Sequence, residues 1–542
     1  MPFLDETTSK RIGLDRILQR LSPLSPYGKL QKEKMRPFLP GCESQVQAEW
    51  NLLASLLAAW AGQPDKFQKL ELILHTLRDI RGVVKKACQD FILEDVELFS
   101  LKRFLDLSEK VYSEMEALRI FPARLSIPRF QSLKAGLAIG GSDKSFYLDD
   151  RYAPNLAALR REQRQLKREL SQRRQELQEI IARETGRTFN YLGHMRISKL
   201  EDELVNNLTR RSDLMVAAET YTEVDFALRD SEAMLALGKR IDEYEERIEA
   251  EERAIRADLS RQVARQSRPL LAACRRLGRL DLLLAKARLA KEIGWCVPEI
   301  VAGARVELTD FVNPVISEFL ASKALFFQPL SLTLGDTLVT VITGANMGGK
   351  SVSLKSTGLA VAMAQLGLLV PAKTFHFSLR GFIYYSQQDE NLGQGLSTFG
   401  REIQSLARVL PRRDERGLFL LDEPARGTNP WEGSALVKAF VAWLGTGNSL
   451  TLIATHFSGL SDMDGVRHLQ VAGLAGLDSD QLKHLGGDGL TGLQRIMDYS
   501  LVSGRGAVPR DALKVAAFLG LAPEILARAS QELEAVKNEI TT

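Results

Sequence analysis

The apolar positions of this 542-residue chain change their period along its length. Leu14, Ile17, Leu18 and Leu21 recur at helical spacing until "SPLSP" interrupts them. Helical periodicity resumes through 49–61, 67–80 and 91–119, and no part of 11–135 alternates convincingly at period two. The pattern predicts a helical domain over 1–150, closed by the glycine-rich break "GLAIGGSDKSFYLDD" at 136–150.

Two long amphipathic segments follow. In the first, Leu156, Leu159, Leu166, Leu170, Leu177 and Ile180 fit a seam of period 3.5. In the second, Leu237, Ile241, Tyr244, Ile248, Ile255 and Leu259 do the same. The residues between them predict a small lobe capping an antiparallel helix pair, so 151–285 reads as two arms plus a lobe. At ~1.5 Å per residue, an arm of ~30 residues reaches on the order of 45 Å.

After about residue 294 glycine and proline rise, and short apolar runs alternate with helices. "TLVTVIT", "FIYYSQQ", "GLFLLDEP", "SLTLIATH" and "VRHLQV" read as buried strands of an α/β domain over 286–508. A last helical segment occupies 509–542.

The first of these strands runs into "GANMGGKS", which fits G-x-x-x-x-G-K-[ST] from Gly344 to Ser351. Glycines at 344, 348 and 349 let backbone N–H groups approach phosphate oxygens, and the next helix adds its positive end. Lys350 then reaches the β- and γ-phosphates, and the Ser351 hydroxyl holds Mg²⁺. About seventy residues on, "GLFLLDEP" ends in Asp422 and Glu423. In a fold of this kind Asp422 completes the Mg²⁺ shell and Glu423 polarises an attacking water. "SLTLIATH" ends at His456, a candidate to touch the γ-phosphate. The cofactors expected are therefore a nucleotide and Mg²⁺, the nucleotide being ATP on the resemblance given below.

Composition narrows the class without choosing a client. Basic residues number 72 against 68 acidic, a net charge of +4, which neither demands nor excludes a polyanion. Cys42, Cys88, Cys274 and Cys296 are widely spaced with no CxxC pair, as in a reducing cytoplasm. "MPFLDETTSK" lacks the form of a signal peptide, and "LLASLLAAWAG" is too short to span a bilayer. A cytoplasmic protein with no membrane partner is expected.

Taken together, "TGANMGGKS" (343–351), "STFGREIQSLARVL" (397–410), "LLDEPARGTNPWEG" (420–433), "ATHF" (454–457) and the tail 498–529 resemble the MutS family of ABC-type ATPases. The resemblance is specific over about 305–530 and looser upstream, where the chain is similar to homologues that lack mismatch-reading and connector domains. It implies a helical core with long antiparallel coiled-coil lever arms, an ABC-type P-loop ATPase domain and a C-terminal helical dimerisation segment. It also implies a homodimer in which Ser397 and Thr398 reach the partner's γ-phosphate and Asn429 faces the partner. Asn346 and Met347 contact nucleotide within the P-loop on this reading, and Phe326 is the candidate to stack on adenine.

Two clients fit. One is DNA, gripped by a clamp under ATP control; the Phe-x-Glu wedge of mismatch readers does not occur in the chain, so branched or duplex DNA is expected over a mispair. The arginine-rich run "RREQRQLKRELSQRR" supplies a basic face, whereas "DEYEERIEAEE" is acidic. The other is a protein: domain-stripped MutS-like proteins are associated with cobalamin- and PLP-dependent lysine or ornithine aminomutases as reactivating factors.

Overall fold

The computed structural model describes residues 3–139, 145–344, 349–386, 398–457, 459–460, 463–474, 492, 494–495, 497–504 and 511–541. Of the residues singled out above, Asn346, Met347, Gly348 and Ser397 lie outside that set, as does the Thr398 side chain. The chain divides into two compact units, one of Met1–Thr76, Glu114–Ser126 and Leu277–Thr542, the other of Leu77–Ser113 and Ile127–Arg276.

The chain opens with helices α1 (Glu6–Ile12), α2 (Leu14–Arg20), α3 (Pro26–Glu33), α4 (Glu43–Gly62) and α5 (Pro64–Thr76). Asp5 and Ser25 cap α1 and α3 by accepting the N–H of Thr8 and Gly28. In α4, Val46, Trp50, Leu53, Leu57 and Trp60 recur at three- and four-residue spacing and are buried. Next come α6 (Arg81–Cys88), α7 (Asp95–Leu118) and α8 (Gln131–Ala138).

The second unit is dominated by α9 (Pro154–Thr185) and α11 (Glu232–Arg265), with β1 (His194–Ser198), α10 (Asp202–Thr209), β2 (Leu214–Glu219) and β3 (Glu223–Leu228) between them. The two long helices run antiparallel. Their cross-links descend in register, from Arg160–Glu252 (2.7 Å) through Lys167–Glu245 (3.9 Å) to Arg174–Asp230 (2.5 Å). Leu166, Leu237 and Ile241 form the buried seam, with Leu170 and Tyr244 beside it. The strands make an antiparallel sheet of order β1-β3-β2. Its inward residues, Met195, Ile197, Val224 and Phe226, pack with Leu208, Leu214 and Ile181.

The seam departs from the sequence reading at one end. Ile180 is half exposed and its neighbour Ile181 is buried against the lobe. A strict 3.5 repeat drifts by about 20° per heptad on a straight helix. By the last turns of α9 the core-facing positions have therefore moved round to Leu177 and Ile181, at a spacing of four.

The remaining elements are α12 (Ser267–Ile293), β4 (Glu299–Ile300), β5 (Val306–Phe311), α13 (Pro314–Ala321), β6 (Leu330–Leu334), β7 (Val339–Thr343), α14 (Lys350–Gln365), β8 (Thr374–Phe377), β9 (Ile383–Ser386), α15 (Thr398–Val409), β10 (Leu418–Asp422), α16 (Pro430–Gly445), β11 (Leu450–Ala454), β12 (Val466–Gly473), β13 (Asp498–Ser503), α17 (Asp511–Phe518) and α18 (Pro523–Thr541). A mixed sheet of order β4-β8-β5-β6 lies beside a six-stranded one of order β13-β12-β7-β11-β10-β9. In the larger sheet β12, β7, β11, β10 and β9 are parallel and β13 closes the edge antiparallel. Every residue of β7, β10 and β11 is buried, as a parallel sheet covered on both faces requires. Among the described residues no helix is long and apolar enough to cross a membrane.

Candidate nucleotide site

In an open parallel sheet, ligands bind beyond the carboxyl ends of the strands. Here β7 ends at Thr343, β10 at Asp422 and β11 at Ala454, and β11 lies between the other two. The sheet order thus carries three loops, separate in sequence, to one edge.

Beyond β7 the backbone adopts glycine conformations at Gly344 (φ 147°) and Gly349 (φ 80°). A Cβ at Gly349 would lie 2.9 Å from the Tyr499 ring, and one at Gly344 would lie 3.0 Å from Val471 Cβ. Both positions therefore exclude side chains on conformation and on space. Gly349 is the N-cap of the 16-residue helix α14 and brings no capping side chain, so the helix presents its first N–H groups towards the loop.

Lys350 opens that helix and is buried. Its Nζ donates to the Gly344 carbonyl at 2.7 Å and stands 3.9 Å from Glu423 Oε1. Burial lowers the pKa of its ammonium, outweighing the opposite pull of Glu423 and Asp422. The cation is placed where an anion would relieve that cost.

Next to it, Ser351 Oγ donates to Asp422 Oδ1 at 2.9 Å, while the Tyr385 phenol donates to Asp422 Oδ2 at 2.6 Å. Burial, with the Asp422 charge added, pushes the Tyr385 pKa well above its ordinary value, so the phenol keeps its proton. Among the described residues no group of three or more His, Cys, Asp or Glu could hold a metal ion. Mg²⁺ asks for less: one or two carboxylates, with water and substrate phosphates completing the octahedron. A half-buried hydroxyl bonded to a buried carboxylate beyond the strand ends fits it.

Glu423 sits just past the strand with φ at 46°, a conformation uncommon for a non-glycine residue. Its N–H is held by the Ala454 carbonyl at 2.8 Å and its Oε2 accepts from Arg426 Nη1 at 2.9 Å. Ala425, at φ 63°, directs its N–H to the buried carboxylate of Glu402. The turn that sets Glu423 beside Lys350 is therefore fixed from both sides.

Thr455 is buried, with its N–H on the Ile342 carbonyl at 3.1 Å and its hydroxyl accepting from Phe457 N–H at 3.1 Å. His456, next in the chain, is exposed beyond β11 with its ring 4.7 Å from Phe457. Asn429 caps α16 by accepting the Trp431 N–H at 3.0 Å, and the Trp431 side chain is exposed. Phe326 is 96% exposed in the loop before β6. The aromatic ring set against the P-loop glycine is Tyr499 of β13, whose N–H is held by Gln328 at 2.8 Å. Neither Tyr385 nor Tyr499 was singled out from sequence; the adjacency of β9 to β10 and of β13 to β12 identifies them.

Residues 340–537 match the family model described as MutS domain V. Over that stretch the chain is similar to the MutS family. The matched stretch of this MutS domain spans Gly344, Lys350, Ser351, Asp422, Glu423, Asn429 and His456, and begins after Phe326. Relatives extend the likeness upstream. The protein named Endonuclease MutS2 from Pelotomaculum thermopropionicum is 27% identical over 485 residues, 84% of this chain and 56% of that protein. Endonuclease MutS2 from Caldanaerobacter subterraneus is 28% identical over 413 residues, 72% of this chain and 49% of its own length. DNA mismatch repair protein MutS from Acetivibrio thermocellus is 30% identical over 223 residues, 41% of this chain and 26% of that protein. The chain spans about half the length of the MutS2 relatives and about a quarter of the MutS one.

Proposed function

We propose that this chain is a MutS-family, Mg²⁺-dependent ATPase that closes as a homodimer and acts on DNA. The observation that carries the reading is the constellation at the sheet's carboxyl edge: Lys350 buried against Glu423, and Ser351 bonded to Asp422. Lys350 holds the β- and γ-phosphates. Ser351 and Asp422 hold Mg²⁺, which supplies charge neutralisation at the phosphate oxygens. Glu423, once released from Arg426, orients the attacking water, and His456 monitors the γ-phosphate.

The exposure of His456 and Asn429 supports the dimer. Ser397 and Thr398 from a second copy complete the γ-phosphate's charge stabilisation, so closure tracks nucleotide state. The long helix pair of the second unit serves as lever arms.

The relatives' names, an endonuclease and a DNA mismatch repair protein, support DNA as the client over an aminomutase. The arms contribute less charge than their arginine run implies, since Arg160, Arg164, Arg173 and Arg174 are engaged by Glu252, Asp150, Glu169 and Asp230. A modest salt slope, of a few phosphate contacts, is therefore expected.

Glu423→Gln tests the whole reading. This variant binds Mg-ATP, fails to turn it over, and accumulates as a dimer by light scattering; branched or duplex DNA binds it with an affinity that falls as salt rises. Turnover at the wild-type rate removes Glu423 as the base. A monomer under saturating Mg-ATP removes the clamp, and absence of DNA binding at about 100 mM salt removes the client.

A further inference from the structure

We infer that Tyr385 is a positioning residue for the Mg²⁺-binding carboxylate, holding Asp422 so that one oxygen is kept for Ser351 and the metal. The inference rests on the nucleotide reading above and adds a residue to it.

A carboxylate at the end of Asp has a broad, two-fold terminal torsion, so packing or hydrogen bonds must choose its orientation. Asp422 is buried, and each of its oxygens has a hydroxyl donor: Ser351 on Oδ1, Tyr385 on Oδ2. The two donors differ in what holds them. Ser351 sits at the start of α14 beside the phosphate loop. Tyr385 lies on β9, which runs parallel to β10 with Tyr385 opposite Leu420. Its N–H is held by Thr8 Oγ1 at 3.3 Å, its carbonyl accepts from Arg11 at 3.5 Å, and Lys355 stands 6.0 Å from the ring centroid. The backbone of Tyr385 is thus anchored by α1 and the sheet, and its ring is flanked by Lys355 of α14.

A phenol suits this place better than a cation. An arginine or lysine on Oδ2 neutralises the carboxylate and weakens it as a ligand. The neutral Tyr385 hydroxyl fixes the orientation and leaves the negative charge for Mg²⁺. Partners of this kind, one step removed from the metal, typically account for about 10- to 100-fold in metal affinity or activity. Its neighbour Tyr384 faces the other side of the sheet, its hydroxyl 2.7 Å from Ser405 Oγ, and provides an internal control.

The test uses the full chain and a fluorescent ATP analogue, titrated in EDTA and against rising Mg²⁺. Tyr385→Phe is expected to keep its EDTA affinity within about 2-fold, to raise the Mg²⁺ concentration for half-saturation by about 10-fold, and to recover turnover at high Mg²⁺. Tyr384→Phe leaves the Mg²⁺ midpoint unchanged. An unchanged midpoint in folded Tyr385→Phe overturns the assignment, and so does an equal loss in EDTA and in Mg²⁺, which marks a structural role. If Tyr385→Phe does not fold, Tyr385→Met carries the same test; failure of both to fold also overturns it. Absence of Mg²⁺-dependent nucleotide binding by the wild type overturns the nucleotide reading itself, and this inference with it.

Discussion

Lys350 offers a way to separate a lysine kept for phosphate from one kept for the fold. Consider Lys350→Met, which retains most of the side-chain stem and removes the charge. A buried ammonium carries a desolvation penalty of several kcal/mol. Against this stand its hydrogen bond to the Gly344 carbonyl and the attraction of Glu423 at 3.9 Å. A charge-assisted hydrogen bond contributes about 1.5–3 kcal/mol. The ion pair at that distance contributes about 4 kcal/mol at an effective dielectric of 20. These terms offset one another, and Glu423 is not stranded by the substitution because Arg426 still holds it at 2.9 Å. Nucleotide-free Lys350→Met is therefore expected to match the wild type within about 1 kcal/mol in urea unfolding. With a non-hydrolysable ATP analogue and Mg²⁺ at 100 times the dissociation constant, the wild type gains about 2.7 kcal/mol and the variant gains nothing. The pH dependence has a definite sign. Burial lowers the pKa of Lys350 in the folded state below the ordinary lysine value. Between those two values the unfolded chain binds more protons. Wild-type stability therefore rises relative to Lys350→Met as pH climbs through the lowered value towards about 10.4. A nucleotide-free loss above about 2 kcal/mol, or a surviving ligand-induced gain, refutes the reasoning.

Three further substitutions probe the packing of the fold. Lys286 is fully buried, donating to Glu49 Oε1 and to the Leu366 carbonyl, both at 2.9 Å, so Lys286→Met removes a donor from each while Arg279 still holds Glu49, and is expected to destabilise by about 1–3 kcal/mol. In the wild type, burial opposes ionisation of Glu49, but Lys286 and Arg279 prevail and hold its carboxyl below the ordinary range; the acid limb of unfolding, where that stability is lost as pH falls through the lowered value, shifts in Glu49→Gln. Ile241→Ala, in the seam with Leu166 and Leu237, is expected to cost about 2–5 kcal/mol in the second unit, read as faster hydrogen exchange in α9 and α11 with nucleotide affinity unchanged.

The legibility of this site in the sequence divides along physical lines. The placing of Lys350 and Ser351 at a sheet edge is legible because the G-x-x-x-x-G-K-[ST] spacing follows an apolar run, and that of Asp422 because it ends another such run. Tyr385 is not recoverable. In "FIYYSQQ" both tyrosines count as apolar, and which hydroxyl meets a carboxylate depends on β9 lying beside β10, a fact of sheet order. The same holds for Tyr499 against Gly349, which is decided by the pairing of β13 with β12. Glu49 and Lys286 are 237 residues apart, and neither carries a local signal. The lobe strands had a signal that went unused: Met195 and Ile197, and Val224 and Phe226, alternate at period two, but over five or six residues amid charged helices.

Helix α14 joins these observations into one mechanical argument. Its first residue is Lys350 and its interior from Ser353 to Gln365 is buried, apart from the partly buried Lys355. At ~1.5 Å per residue its 16 residues make a rod of about 24 Å. A rod enclosed this fully has little room to bend, since packed interiors do not deform continuously. Its far end is tied down: Gln365 bonds the carbonyls of Phe38 and Arg380, and Lys286 of α12 takes the Leu366 carbonyl. On the nucleotide reading proposed above, a displacement at the start of α14 is carried along the helix to the Lys286–Glu49 pair. Loss of the pair in Lys286→Met is therefore expected to weaken nucleotide affinity, read by titration of a fluorescent ATP analogue, although Lys286 lies 64 residues before Lys350 in the chain.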